Sequence, residues 1–152
     1  MTDTIPQPRP VIRPMTLADY DDVMYLMAQT PGITLRNADT REATARYLER
    51  NPGLSFVATA SGSIVGCIFC GHDGRRGYLQ HLVVHPAWRH QGIGTGLVTQ
   101  CLRGLEHLGI LKSHVDVLHS NAAAHAFWEG LGWQLRTDIR RYSFVRAGDD
   151  NA

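Results

Sequence analysis

One stretch of the chain carries most of the information about its fold: residues Leu82–Gly94, which read LVVHPAWRHQGIG. Its first three residues are apolar and mostly β-branched, which predicts the end of a buried strand. Pro86 cannot continue that strand, and a helical spacing of apolar side chains begins at Ile93. The stretch therefore predicts a strand, a loop containing Gly92 and Gly94, and then a helix.

This loop has the features of an anion-binding site. The first turn of a helix carries unpaired N–H groups and partial positive charge, and glycines let a phosphate approach the backbone closely. A P-loop would need a lysine after its last glycine, but Thr95 follows Gly94. A dinucleotide fingerprint would need a third glycine in place of Leu97 and a tighter connection from Val84 to Gly92. On these residues alone, a glycine-rich helix start without a ligand stays open.

The rest of the chain divides into short elements. We expect one domain over residues 10–146, with loose tails at 1–9 and 147–152. The predicted strands are Val11–Arg13, Leu54–Ala60, Ile64–Cys70, Tyr78–His85, Ile110–Leu118, Trp133–Leu135 and Ile139–Val145. The predicted helices begin at or just after Thr16, Asp39, Gly92 and Asn121, and are stopped by Pro31, Asn51, Gly109 and Gly132. This order predicts an α/β fold with an antiparallel meander and one central βαβ crossover.

Composition excludes several classes of function. A chain of 152 residues with 43% apolar residues can form one globular domain with a core. A net charge of +1 is too balanced for a dedicated nucleic-acid-binding protein. The sequence has no apolar run of ~18 residues, which a membrane span would need. The first ten residues lack the apolar segment of a signal peptide, so we expect a cytoplasmic protein.

The cysteines and histidines predict neither a redox centre nor a metal site. Cys67 and Cys70 form a C-x-x-C pattern inside a predicted strand, where an odd spacing sends two side chains to opposite faces. We therefore interpret them as buried thiols. The eight histidines lack the spacing of metal ligands, and we expect no metal.

A second motif connects the glycine loop to a known family. Residues Asn121–Trp133, NAAAHAFWEGLGW, match the pattern N-x-x-A-x-x-x-Y-E-x-L-G-F except for tryptophans at its two aromatic positions. Arg89–Gly94 also fits the coenzyme A signature Q/R-x-x-G-x-G/A without a gap. From Val11 to Val145 the chain resembles the GNAT superfamily of N-acetyltransferases. The resemblance implies the GNAT fold, with a mixed, mostly antiparallel sheet and helices on both faces. It also implies direct transfer of an acetyl group from acetyl-CoA to a primary amine.

The resemblance implies which residues bind acetyl-CoA. Backbone groups of the strand would pair with the pantetheine arm, backbone N–H groups of the loop would hold the pyrophosphate, and residues of the last helix would line the far wall. These positions are Leu82, Val83, Val84, Arg89, His90, Gln91, Gly92, Ile93, Gly94, Thr95, Asn121, Ala124, Phe127 and Trp128. For Phe127 and Trp128, plain core packing at helical spacing is the alternative.

The groups that move protons depart from the family pattern. Many members have a tyrosine as general acid where this chain has Trp128, and an indole N–H is no proton donor for this purpose. The family's usual acidic base in the central strand is also missing. We hypothesise that His81, which lies beside the expected thioester site, is the base; the alternative is a histidine packed under a helix. Strand alternation sets Gln80 and His81 on opposite faces, although a bulge could re-aim either side chain. Tyr78 is a weaker candidate for the acid or for substrate contact, and His119 is another.

The acceptor should be a small-molecule or peptide amine, with no nucleic acid or membrane as partner. Arg36, Asn37 and Asp39 lie in the loop where the family binds its acceptor, although such residues are more often solvated surface. The central hairpin also carries charged residues, which are likewise more often solvated surface than ligands: Asp73, Arg75 and Arg76. A non-catalytic acetyl-CoA-binding regulatory module is the alternative function. The apolar segment Tyr142–Val145 could pair with a second copy of the chain to give a homodimer.

Overall fold

The structure, a computed structural model, describes residues 9–152. Within this range the strands are β1 Val11–Pro14, β2 Phe56–Ala60, β3 Ser63–His72, β4 Gly77–Val84 and β5 Ser113–Val115. The α-helices are α1 Tyr20–Ala28, α2 Arg41–Arg50, α3 Ile93–His107 and α4 Ala122–Gly130. The expected tail at residues 1–9 lies, apart from Arg9, outside the described part of the chain.

The strands form one open sheet in the order β1-β2-β3-β4-β5. The first four strands pair antiparallel, and β4 pairs parallel with β5 through the crossover helix α3. The sheet therefore confirms the predicted meander and the single βαβ unit. β1 lies at the edge of the sheet, as its flanking prolines predict.

Helices cover both faces of the sheet and divide the core into two clusters. One cluster lies under α3 and α4 and contains Cys70, Leu97 and Leu105. The other lies under α1 and contains Cys67 and Val23. The two thiols of the C-x-x-C pattern thus point to opposite faces, as the strand period predicts. Burial raises the pKa of the Cys67 thiol to about 12.

Local polar groups fix where the first two helical segments begin. The Thr16 N–H donates to Asp19 Oδ2 at 2.9 Å, which confirms Thr16 as the start of the first helical segment. The predicted start of the second helix at Asp39 is wrong. The helix α2 begins two residues later, and the Thr40 hydroxyl caps it by accepting from the Ala43 N–H. Residues Asn37–Asp39 form a 3₁₀ turn, and the Asp39 carboxylate contacts the Arg36 N–H and the His81 ring.

The predicted end of the sheet is also wrong. The strand expected over Ile110–Leu118 is reduced to β5, and Trp133–Leu135 and Ile139–Val145 form no strands within residues 9–152. An ion pair from Arg141 to Asp116 connects this segment to the end of β5, but no backbone ladder follows it. Strand-forming side chains stabilise a strand only when a neighbour pairs with them, and here Tyr142 and Phe144 are 94% and 82% exposed.

Within residues 9–152, no helix is long and apolar enough to cross a membrane. The same part of the chain contains no group of three or more histidine, cysteine, aspartate or glutamate side chains arranged to hold a metal ion.

Candidate active site

A bulge in β4 determines where His81 points. Phe69 of β3 pairs with Gln80, whereas Cys67 pairs with Val83, so two residues of β4 lie opposite one residue of β3. His81 has a φ of 50°, in the left-handed region that residues other than glycine rarely adopt. The extra residue turns His81 toward the face covered by α1, and Leu82 packs against the cluster under α3.

The His81 imidazole is held by one aromatic and one acidic side chain. Its Nε2 lies 3.1 Å from Asp39 Oδ1. Its ring meets the Phe69 ring edge to face, with 5.9 Å between ring centroids. The side chain of His81 is 29% exposed and that of Asp39 is 12% exposed. The pair is therefore shielded but still open to solvent on one side.

Asp39 is itself fixed by its surroundings. Its Oδ2 accepts a hydrogen bond from the Arg36 N–H at 2.8 Å. The Tyr20 hydroxyl donates to the Asp39 carbonyl at 2.6 Å. These bonds leave Oδ1 aimed at His81. From the sequence, Asp39 is a predicted helix start and a residue of the acceptor loop. Its pairing with His81 is not predictable there, because 42 positions separate the two residues and no local pattern connects them.

The strand β4 has a free edge beyond the bulge. Its pairing with β5 ends at Leu79 and Val115, whereas its other edge stays paired with β3 up to Val84. The backbone of residues 80–84 therefore lacks a neighbouring strand on the β5 side. A strand with one unpaired edge can accept an extended group alongside it, as in β-strand addition.

The glycine loop follows this free edge after a 3₁₀ turn at Pro86–Trp88. His90 and Gly92 have φ values of 63° and 81°, and α3 begins at Ile93 without a side-chain cap. Among the hydrogen bonds of residues 9–152, none uses the backbone N–H groups from His90 to Thr95 as donors. A Cβ atom at Gly92 would meet nothing within 4 Å, so the space beside the loop is open.

Arg89 lies at the entrance to this loop. Its Nε donates to the Val84 carbonyl at 3.1 Å, which folds the side chain back onto the end of β4. The guanidinium is exposed and permanently charged. Arg89 therefore brings positive charge to the junction between the free strand edge and the glycine loop. The exposed side chain of Gln91 lies in the same loop.

The aromatic residues of α4 separate into two roles. A Cβ at Gly94 would lie 3.2 Å from Phe127 Cε2, so the half-buried Phe127 packs against the first turn of α3. Trp128 is 7% exposed and packs against the rings of Phe127 and Trp133. Its contacts are those of a core residue, and the other side of the glycine loop is formed by Phe127.

The remaining residues predicted for the site lie at the ends of these elements. Asn121 caps α4 by accepting from the Ala124 N–H at 3.0 Å. The Tyr78 hydroxyl donates to Asp73 at 3.4 Å, in the hairpin before β4, and makes no hydrogen bond to His81. Tyr78 also lines a cavity of about 510 Å³ that lies between β5, α4 and the irregular C-terminal segment.

Comparisons with known proteins identify the family of the chain and agree with its fold. The sequence model of the acetyltransferase (GNAT) family matches residues 21–133. An acetyltransferase of Yersinia enterocolitica is 30% identical over 128 residues, which are 84% of this chain and 90% of that protein. The PaiA N-acetyltransferase of Thermoplasma acidophilum, solved with coenzyme A, has a TM-score of 0.76 at 19% identity, covering 84% of this chain and 91% of that one. The aminoglycoside N-acetyltransferase AAC(6')-Iy, solved with CoA, has a TM-score of 0.74 at 20% identity, covering 93% and 98%.

Proposed function

This chain belongs to the acetyltransferase (GNAT) family, and on that premise we propose that it transfers an acetyl group from acetyl-CoA to a primary amine by direct attack. The observation that supports this most is the continuity of two features. The unpaired edge of β4 is followed, after one 3₁₀ turn, by the free N–H groups of the glycine loop. An extended arm that ends in a pyrophosphate fits this combination, because the arm needs strand-like partners and the phosphates need donors.

Each part of the donor molecule has matching residues. Backbone groups of Leu82, Val83 and Val84 would bind the pantetheine arm, and N–H groups from His90 to Thr95, with Arg89 beside them, would bind the pyrophosphate. The residues proposed for the rest of the binding surface are Gln91, Ile93, Asn121, Ala124 and Phe127, whereas the buried Trp128 supports Phe127 from the core. Gly94 fits this proposal because a larger residue would fill the narrow space in front of Phe127. Bound here, acetyl-CoA supplies the thioester carbonyl that the amine attacks.

His81 is the proposed base. An alkylammonium is mostly protonated at neutral pH and becomes a nucleophile only after losing a proton. His81 accepts that proton, directly or through a water molecule, and the amine nitrogen then forms a bond to the carbonyl carbon as the bond to sulfur breaks. The nitrogen gives its second proton to water and becomes a neutral amide. Solvent protonates the departing thiolate, because the Trp128 indole cannot do so. A backbone N–H of residues 82–84 stabilises charge on the thioester oxygen.

The acceptor is proposed to approach from the side of α1 and α2. His81 faces that side, and the loop that contains Arg36, Asn37 and Asp39 borders it. Residues from the C-terminal end of the chain also reach this loop, since the Asn37 N–H donates to the Asn151 carbonyl at 2.8 Å. A small-molecule or peptide amine is the proposed acceptor class.

A second copy of the chain is a further proposed partner. Tyr142 and Phe144 are almost fully exposed in the irregular C-terminal segment, and apolar surface of this kind marks contacts with other chains. Sedimentation velocity of the wild type and of a Phe144→Ser variant tests this. We expect a dimer that the substitution weakens, and a monomeric wild type would remove this part of the proposal.

Two measurements test the proposed activity. Acetyl-CoA should raise the melting temperature, and ATP and NAD should not, because a ligand that binds the native state stabilises it. Release of free thiol from acetyl-CoA in the presence of a panel of amines should then identify the acceptor. Binding of acetyl-CoA without thiol release on any amine would favour the alternative, a regulatory module. This alternative is supported by position 128, where the chain has a tryptophan and the family pattern has a tyrosine.

A further inference from the structure

We infer that Asp39 is a positioning residue for His81: its carboxylate keeps a hydrogen on Nε2 and so makes Nδ1 the nitrogen that accepts the proton of the amine. This inference rests on the proposed function, in which His81 is the base. It assigns a role to a residue of the acceptor loop whose own sequence context predicts a helix start.

The hydrogen-bonding capacity of the two side chains decides which nitrogen of His81 carries the hydrogen. An ionised carboxylate only accepts hydrogen bonds, so the 3.1 Å contact between Asp39 Oδ1 and His81 Nε2 requires the hydrogen on Nε2. In a neutral imidazole the other nitrogen then carries the lone pair. No hydrogen bond among residues 9–152 uses His81 Nδ1. That nitrogen is therefore free to take a proton.

Neighbouring groups hold the side chains of both Asp39 and His81 in place, and this favours one tautomer of His81. The Arg36 N–H occupies Asp39 Oδ2, and the Tyr20 hydroxyl holds the Asp39 carbonyl. Phe69 packs against the edge of the His81 ring, and the bulge fixes its backbone. The pair thus has one favoured geometry, and the 12% exposure of the Asp39 side chain limits competition from water.

The carboxylate also matters after proton transfer. When Nδ1 takes the proton from the ammonium, His81 becomes a cation beside the Asp39 anion, and this attraction favours the transfer. The proton passes to solvent after the amine has formed its bond to the acetyl group. In this proposal Asp39 does not take up the transferred proton. Its effect on the reaction is exerted through His81.

The test uses the full chain with ¹⁵N-labelled histidine. In the wild type, the ¹⁵N spectrum of His81 should show the tautomer with hydrogen on Nε2. Asp39→Asn keeps the shape of the side chain but offers an amide that can donate, so we expect a shift toward hydrogen on Nδ1. With an amine that the enzyme acetylates, kcat should fall by about 10²–10⁴-fold, the range of a lost general base, and KM for acetyl-CoA should stay within about twofold.

Asp138→Asn is the matched control. Asp138 also pairs with a basic side chain, Arg136 at 2.9 Å, but on the exposed surface. This variant should keep both the His81 spectrum and kcat. The inference is overturned if wild-type His81 carries its hydrogen on Nδ1, or if Asp39→Asn lowers kcat without changing the tautomer. It is also overturned if Asp39→Asn keeps kcat within about threefold of the wild type.

The spectrum separates this inference from the proposed function. If no amine is acetylated, the proposed function fails, and the tautomer in the wild type and in Asp39→Asn still decides whether Asp39 controls His81. If His81→Ala retains full turnover, the base is assigned wrongly, whatever the spectrum shows.

Discussion

The Phe127 ring lies so close to Gly94 that a Cβ atom at position 94 would come within 3.2 Å of its Cε2 atom. Helix α4 thus packs directly over the first turn of α3, next to the free N–H groups of the glycine loop. Gly94 has ordinary helical geometry, so its backbone conformation does not require glycine. The close contact does, because any side chain at position 94 would have to displace Phe127.

Replacement of Gly94 tests the binding role of this contact. Gly94→Ala should weaken acetyl-CoA binding about tenfold, equivalent to about 1.4 kcal/mol, because the methyl group narrows the approach to the loop. The melting temperature should change little, since the helix preference of alanine over glycine offsets the cost of moving the Phe127 ring. Calorimetric titration with acetyl-CoA measures the dissociation constant. Gly130→Ala in α4 is the control, because a Cβ there meets nothing within 4 Å. Equal affinities for the two variants would contradict the prediction.

Replacement of His81 tests the proposed base. His81→Ala should lower kcat by about 10²–10⁴-fold and change KM for acetyl-CoA little, because only proton transfer is lost. His119→Ala should retain turnover, since the exposed His119 lies in the loop between β5 and α4, away from the Asp39 contact. Rates of thiol release across a range of pH values measure both variants. Full turnover by His81→Ala would remove the assignment.

The ion pair between Arg13 and Asp19 should contribute to stability in a pH-dependent way. Arg13 binds both carboxylate oxygens, at 2.7 and 2.8 Å, and this contact is the main cause that holds the pKa of Asp19 below its usual value. Asp19→Asn should therefore lower the free energy of unfolding at pH 7 by about 1–3 kcal/mol. Because the folded-state pKa is depressed, this contribution is present above about pH 4 and is lost as the pH falls through the folded-state value.

Urea unfolding of the wild type and of Asp19→Asn, at pH 7 and at pH 3, measures this contribution. The difference between the two proteins should shrink at the lower pH. The exposed pair of Arg136 and Asp138 offers the control, because Asp138→Asn should change stability little at either pH. If the free energy of unfolding of Asp19→Asn differed from that of the wild type by the same amount at both pH values, the stabilisation at this position would come from packing and not from charge.

The three thiols should be unreactive in the folded protein. Cys67, Cys70 and Cys101 are all buried, and burial raises the pKa of Cys67 to about 12. A thiolate is the reactive form, so an aromatic disulfide reagent at pH 8 should label the native chain only as fast as it unfolds. In denaturant all the cysteines should react at once. Rapid labelling of the native protein would contradict the burial and would also complicate thiol-release assays.

The sequence by itself determined the order of the central elements and the position of the glycine loop. The run from Leu82 to Gly94 and the motif from Asn121 to Trp133 encode strand, loop and helix through spacings of a few residues. Such signals need no distant partner, because strand alternation, helix period and turn chemistry act over short segments. For the same reason the opposite directions of Cys67 and Cys70 could be predicted and are confirmed.

Only the tertiary structure decided which side chains meet. The bulge at His81 depends on the register between β3 and β4, and the pairing with Asp39 joins residues 42 positions apart. The C-terminal segment from Trp133 to Val145 has the composition of a hairpin but no ladder, because pairing with a neighbouring strand, and not composition, makes a strand. Register and long-range pairing are properties of the assembled sheet. They therefore determine which groups surround His81, whereas local sequence determines the strands, loop and helices on which these groups lie.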